Sequence, residues 1–230
     1  MLAGVTLAAL VFPFLGPLRR RWLKRWWSAR LVRCLGVELQ IRGDGDVAPG
    51  CLLVANHVSW LDIFLINAAW PAAFISKAEV RQWPLFGWLA TKSETVFLHR
   101  GSRGHAKVVN GEIAALLGEG QYVALFPEGT TTDGRSLHNF HGALLQPAID
   151  AGAPIQPLAI AYRLPDGRFT RAPAYDGDVS LGECLRAIVA ERRIVARIDV
   201  APALDTRATP DRKALAHTAR AAILERIESA

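Results

Sequence analysis

The chain has 230 residues, 51% of them hydrophobic, with a mean hydropathy of +0.18 and a net charge of +6. That length suits one domain, or one domain with an appendage, and the hydropathy is high for a freely soluble enzyme yet low for a multispan membrane protein. The charge is localised: Arg19, Arg20, Arg21, Lys24, Arg25, Arg30 and Arg33 all precede the first acidic residue, Glu38, and the rest of the chain is near neutral, which excludes a nucleic-acid enzyme with a basic cleft and points to a local anionic surface.

In chain order, the apolar run from Leu2 to Leu15 contains Pro13 and is closed by Gly16-Pro17. It is shorter than the roughly 20 apolar residues of a spanning helix, and it lacks the basic start and small-residue cleavage site of a signal peptide. Leu18 to Leu35 then reads as an amphipathic helix, with Leu23, Trp27 and Leu31 at intervals of four, Trp22 and Trp26 beside them, and basic residues elsewhere. Tryptophan with arginine on such a helix is the composition of an interfacial anchor, each basic residue near an anionic leaflet contributing about 1 kcal/mol. The same cluster favours a cytoplasmic placement for the body. A helix packed on the domain with a solvated basic face accounts for the same pattern.

From residue 37 the pattern alternates. Val37–Arg42 alternates like a strand, and Cys51–Ala55 is a short apolar run of a buried strand. Trp60–Ala69 reads as a helix, Ala72–Ser76 as a strand, Trp83–Ala90 as a short aromatic-rich helix or loop, and Thr95–Leu98 as a strand. Gly104–Leu117 is helical and closed by glycines. Tyr122–Phe126 is a strand, Ala143–Ala151 a helix, Ile155–Tyr162 a strand, Leu181–Val189 a helix, Ile194–Val200 a strand and Pro210–Ser229 a helix. Such alternation predicts an α/β fold with a mostly parallel mixed sheet flanked by helices, with active-site groups where strands end. The three cysteines, Cys34, Cys51 and Cys184, lack paired spacing and read as reduced thiols.

Polar motifs fall at those strand ends. After the first buried strand comes Asn56-His57-Val58-Ser59-Trp60-Leu61-Asp62. Five residues on one regular helix lie about 140° apart, so His57 and Asp62 converge only if His57 occupies the turn before the helix and Asp62 its first turn, with Ser59 as N-cap and Asp62 as third helical position. A histidine near neutral pKa serves as general base for a hydroxyl, and a carboxylate on its other ring nitrogen fixes the tautomer. A capping-box pair between Ser59 and Asp62 explains the same letters. Val96 to Leu98 leads into His99-Arg100-Gly101, where Arg100 suits an anion and equally a solvated turn. The strand ending at Phe126 leads into Pro127-Glu128-Gly129-Thr130-Thr131-Thr132-Asp133-Gly134. Gly129 lets backbone approach a ligand, and Glu128 is costly to bury without a role. His138 and His141 form an H-x-x-H pair with no zinc-type cluster behind it.

Together these motifs resemble the glycerolipid acyltransferase family that includes 1-acyl-glycerol-3-phosphate acyltransferases. Its N-H-x-S-x-x-D motif is matched by Asn56, His57, Ser59 and Asp62. Its strand ending in arginine is matched by Phe97 and Arg100, its F-P-E-G-T by Phe126 through Thr130, and its proline-centred strand by Ile155 to Ile160. The resemblance covers roughly residues 35–200. It implies a glycerol-3-phosphate acyltransferase-like fold with N-terminal membrane-associated helices, divided into an anchoring segment (1–36) and an acyltransferase domain (37–230). It implies His57 as the base that deprotonates the acceptor hydroxyl and Asp62 as its orienting partner. It places Arg100, Glu128, Gly129 and Thr130 at the acceptor head group, with Asn56, Ser59 and Pro127 in support. The acyl donor is a thioester on coenzyme A or acyl carrier protein, with no metal and no organic cofactor. The partners are a membrane lipid surface and a lysolipid, not a nucleic acid, at the cytoplasmic face (the inner membrane in a bacterium).

One departure concerns the acceptor. Many members carry Arg directly after E-G-T, and here that residue is Thr131, with Arg135 as a substitute nearby. The run Ser76 to Pro84, with E-G-T-T-x-D-G, also looks like the branch that acylates lyso-ornithine lipids. The resemblance thus implies lysophosphatidic acid as the acceptor and phosphatidic acid as the product, with lyso-ornithine lipid as the alternative acceptor. A lipid hydrolase, in which the same His57–Asp62 pair activates water on a lipid ester, is a reading of another class, and the lack of a G-x-S-x-G nucleophile elbow counts against it. A non-catalytic lipid-binding module is at odds with the presence of both His57 and Asp62.

Overall fold

The structure is a computed structural model that describes residues 16–43, 47–77, 96–98 and 103–229. The apolar run before Gly16, the segment Trp83–Ala90 and Arg100 lie outside the described residues.

Helix α1 (Pro17–Cys34) starts at a proline after the extended Gly16, where a missing N–H costs nothing. It leads into β1 (Val37–Arg42) and β2 (Leu52–Ala55), followed by α2 (Asp62–Ala69), β3 (Ala72–Lys77), β4 (Val96–Leu98), α3 (Arg103–Gly118) and β5 (Tyr122–Leu125). A tight helical turn, Gly142–Leu145, precedes α4 (Gln146–Ala151); β6 (Ile155–Arg163), α5 (Leu181–Ala190), β7 (Ile194–Val200) and α6 (Arg212–Glu228) complete the order. The continuous helix expected over Ala143–Ala151 is thus split. Pro147 has no N–H to give to Ala143, so it sits in the first turn of a new helix instead.

Among the described residues the strands form one sheet in the order β1-β7-β6-β2-β5-β3-β4. Every pair is parallel except β6 with β7, which meets the expectation of a mostly parallel mixed sheet. β2 lies between β5 and β6 and is buried throughout, as its unbroken apolar run requires. Pro157 is tolerated in the interior strand β6 because pairing to β7 begins only at Leu158↔Val200. Leu53, Ala55, Leu158, Ile160 and Tyr162 face one layer, containing α1, α2 and α5; Leu52, Val54, Ile155 and Ala159 face the other, containing α3, α4 and α6.

Helix α1 packs along α2, and its inward side differs from the expected apolar stripe. Leu31 and Val32 are buried, but so are Lys24 and Ser28. The Lys24 ammonium donates to the Ala72 carbonyl (3.2 Å) and Arg25 Nε to the Ala68 carbonyl (3.2 Å), so two of the seven N-terminal cations serve carbonyls at the C-terminal end of α2 and the start of β3. Trp27 meets Phe64 edge to face at 5.5 Å. Leu18, Trp22 and Trp26 point outward, the two indoles stacked at 6.1 Å and the Arg30 guanidinium 5.0 Å from the Trp26 ring centre. Among the described residues no helix is long and apolar enough to cross a membrane.

The join between β2 and β6 is extended past the strand by a side chain. Asn56 Nδ2 donates to the Ile160 carbonyl (3.0 Å) and Asn56 Oδ1 accepts from the Ile160 N–H (2.7 Å), replacing a backbone rung just where His57 must leave the sheet. Asn56→Ala leaves two buried backbone groups unpaired. It is expected to lower unfolding free energy by about 2–4 kcal/mol, measured by urea denaturation.

Candidate active site

The segment after β2 folds back on itself around one carboxylate. Asp62 is fully buried, and its Oδ2 accepts from the Val58 N–H (2.7 Å), the Ser59 N–H (2.9 Å) and His57 Nδ1 (2.9 Å). Its Oδ1 accepts from the Tyr162 hydroxyl at 2.5 Å. A buried carboxylate persists in ionised form only with such compensation. An ionised carboxylate only accepts, so Nδ1 of His57 carries the proton and Nε2 keeps a free lone pair. The imidazole remains 18% exposed. Beneath it the Phe126 ring stacks at 3.8 Å between centres and 5° between planes, fixing the ring's tilt.

The capping expectation is corrected in detail. α2 begins at Asp62 rather than Trp60, and Leu61, already helical in its dihedrals, precedes it. Asp62 is therefore the first helical residue, not the third, and Ser59 is not the N-cap. The Ser59 hydroxyl instead accepts from the Leu61 N–H (3.2 Å), and the Ser59 carbonyl accepts from the Asp62 N–H (3.1 Å), closing a tight turn. Asp62 does reach back to the Ser59 N–H, as a capping carboxylate would, and the same atom holds His57.

The loop after β5 supplies a second clamp. Phe126–Gly129 is a turn closed by the Gly129 N–H on the Phe126 carbonyl (3.1 Å), with Pro127 at the position that fixes its φ. Gly129 has φ +72°, a conformation that favours glycine. The turn aims Glu128 inward, 5% exposed. One Glu128 oxygen accepts from the His57 N–H and the other from the His138 N–H, both at 2.8 Å. Burial pushes the Glu128 carboxyl above the usual range, against the pull of those two bonds. The remaining backbone groups are also held: the His57 carbonyl accepts from the Thr132 N–H (2.8 Å), and the Val58 carbonyl from the Tyr175 N–H (2.9 Å). Every backbone donor and acceptor of His57 and Val58 is thus engaged, which leaves the imidazole as the part that can meet a reactant.

Of the residues singled out in the sequence, His57, Asp62, Asn56, Ser59, Pro127 and Glu128 come together here. Glu128 does so by tying two loops, and both its oxygens are engaged by backbone. Gly129 is half-buried and Thr130 exposed at the rim. The Thr131 hydroxyl donates to the Tyr175 carbonyl. Arg135 lies over the Phe169 ring at 4.4 Å, and Gly134 before it approaches Val58 closely enough that a Cβ there would meet its methyls at 3.3 Å. His138 and His141 serve through their backbone, the His141 N–H binding the Pro127 carbonyl at 3.0 Å. Two further contributors carry little signal of their own in the sequence: Phe126, a letter of the F-P-E-G-T motif, and Tyr162, two residues beyond Ile160 and so on the same face of an alternating strand.

A family model described as Acyltransferase matches residues 38–161, more than half of the chain. The chain belongs to the acyltransferase family. A lyso-ornithine lipid O-acyltransferase of Pseudomonas aeruginosa is 47% identical over 176 residues, covering 76% of this chain and 67% of that protein. A 1-acyl-sn-glycerol-3-phosphate acyltransferase of Neisseria meningitidis serogroup B is 41% identical over 186 residues, covering 80% and 72%. The crystal structure of a 1-acyl-sn-glycerophosphate acyltransferase of Thermotoga maritima superposes with a TM-score of 0.66 at 21% identity over 99% of this chain and 93% of that one, a likeness of fold. The acyltransferase class and the α/β fold expected from the motifs are both met.

In this acyltransferase, Glu128→Gln would turn an amide NH2 toward one of the two backbone N–H groups that now donate to the carboxylate. The expected cost is about 1–3 kcal/mol of folding stability, read from denaturant unfolding of the variant against the parent.

Proposed function

We propose that the chain moves a fatty acyl group from a thioester, on coenzyme A or acyl carrier protein, to the hydroxyl of a lysolipid, with His57 as general base. The observation that carries this reading is the 2.9 Å contact of His57 Nδ1 with a fully buried Asp62, which leaves Nε2 as the proton acceptor. In this scheme Nε2 takes the acceptor's hydroxyl proton as its oxygen attacks the thioester carbonyl. Asp62 stabilises the imidazolium. Collapse of the tetrahedral intermediate breaks the C–S bond, and the thiolate takes the proton back from Nε2. No enzyme nucleophile and no metal is needed. His57→Ala is expected to lower turnover by roughly 100- to 10,000-fold with an unchanged circular dichroism spectrum. Near-normal turnover would remove His57 from the role.

The relatives are named for two acceptors, lysophosphatidic acid and lyso-ornithine lipid. Phosphatidic acid is the default product of the family resemblance. One observation favours lyso-ornithine lipid: the residue after E-G-T is Thr131, and its hydroxyl is committed to the Tyr175 carbonyl, so that position offers no cation to a phosphate. Labelled acyl-thioester with the two lysolipids side by side decides between them, and transfer to neither overturns the reading.

The proposed site of work is an anionic membrane face, met by the outward ridge of Leu18, Trp22 and Trp26 with Arg30 beside it. Replacing Trp22 and Trp26 together by alanine is expected to weaken binding to anionic vesicles on the order of tenfold, in a sedimentation assay. Unchanged binding would refute the docking surface.

A further inference from the structure

Asp62 has more donors than a histidine–carboxylate pair requires, and one of them comes from far away in the chain. Oδ2 already takes His57 Nδ1 and two backbone N–H groups. Oδ1 faces the other way, into the layer beneath α2, and there it meets only the Tyr162 hydroxyl among the hydrogen bonds of the described residues. Tyr162 is among the largest fully buried side chains, at 2% exposure. A phenol in such a place must find a partner or pay for its desolvation. Its placement is built by the fold: Asn56 fixes Ile160 at the end of β2, and residue 162 follows on the same face of β6 as residue 160. The strand that fixes where His57 leaves the sheet thereby also fixes where Oδ1 is bound.

We propose that Tyr162 is a positioning residue of the acyl-transfer reaction, holding Asp62 through Oδ1 so that Oδ2 stays aligned on Nδ1 of His57 and setting how strongly the carboxylate draws on the imidazole. This rests on the reading of His57 as general base. The hydrogen bond withdraws charge from the carboxylate. Burial and the Asp62 charge both hold the phenol protonated, well above its ordinary range, so it acts as a donor at every pH of interest. Among the described residues, the other titratable groups around the pair are Glu128 from the β5 loop, His138 beside Glu128, and Cys184 on α5, whose thiol burial pushes up. Glu128 and His138 do not touch Oδ1 in any hydrogen bond of the described residues, and the Cys184 thiol is directed to the Pro173 carbonyl at 3.4 Å.

Tyr162→Phe removes one oxygen and keeps the ring. Without the phenol, the negative charge of Asp62 concentrates on the side facing His57, and the imidazolium gains stability. That moves the acid limb of the kcat/KM profile upward, by about one pH unit, and lowers kcat on the order of tenfold, with the KM for the lysolipid changed less than about twofold. Ile160→Val, on the same face of the same strand, is the packing control. It is expected to lower Tm by a few degrees and leave the limb in place. The second readout needs no turnover: a titration of the His57 imidazole by nitrogen-15 NMR, whose midpoint moves upward in Tyr162→Phe and not in Ile160→Val. A midpoint that stays put in Tyr162→Phe overturns the proposal whatever the kinetics do. A moved midpoint in a chain whose His57→Ala variant still turns over sustains the Tyr162–Asp62–His57 coupling and sinks the general-base reading instead.

Discussion

A carboxylate with no access to water must take its solvation from the protein, and at Asp62 that requirement organises the rest of the site. Its four donors come from three places: the backbone of the tight turn before α2, the imidazole of His57, and the far end of β6. Each donor constrains a different part of the molecule. The two N–H bonds force the chain to reverse between β2 and α2. The phenol requires β6 to lie beside β2 in one register. The imidazole is then the one donor on Asp62 that is a side chain open to solvent. The stability of the charge and the aim of the imidazole are therefore a single arrangement. A second buried carboxylate works on the outside of the same turn, where Glu128 binds the His57 N–H and joins it to the segment at His138. Asp62 holds the ring while Glu128 holds the backbone that carries it.

Two carboxylates so close to one histidine divide their labour by what their oxygens touch. Asp62 reaches Nδ1 directly and so sets the tautomer. Glu128 touches no side chain of the pair; its oxygens accept backbone N–H groups only. Carboxylates at strand ends invite a substrate-binding role, and the resemblance assigned one to Glu128. In the structure its two oxygens tie two backbone segments together as a strut does, made possible by the Pro127 turn and the left-handed Gly129. Nearer the rim, Thr130 is exposed and Arg135 lies on Phe169.

Most of the described elements were legible from apolar runs, because buried parallel strands such as Leu52–Ala55 and Tyr122–Leu125 leave an unbroken signature and their ends are marked by polar motifs. The histidine–carboxylate convergence was legible only in outline. Spacing required a turn before a helix, but whether Ser59 capped that helix depended on a carbonyl-to-N–H closure that no side-chain pattern reports. Tyr162 was invisible for a different reason: its hydroxyl acts on a residue 100 positions earlier in the chain, and alternation along β6 says which face it shares without saying what waits there. The burial of Lys24 was hidden likewise, because its role depends on free carbonyls around Ala72 that exist only once α1 and α2 are packed together.

That packing connects α1 to the His57–Asp62 pair. Trp27 of α1 meets Phe64 of α2 edge to face, and Trp60, two residues before Asp62, meets the same Phe64 ring at 5.8 Å. Arg25 binds the carbonyl of Ala68 near the last turn of α2, and Asp62 is the first residue of that helix. A short helix gripped by α1 along its side and near its C-terminal end, and carrying the buried carboxylate at the other, has little freedom to tilt. The outward ridge of Leu18, Trp22 and Trp26 is therefore fixed in orientation relative to His57. For a reaction whose acceptor is held in a lipid surface, as proposed here, such rigidity has a direct value: the helix face that meets the lipid also sets the angle at which the imidazole meets the hydroxyl, and orientation alone accounts for a large part of what an enzyme must supply when it adds no nucleophile of its own.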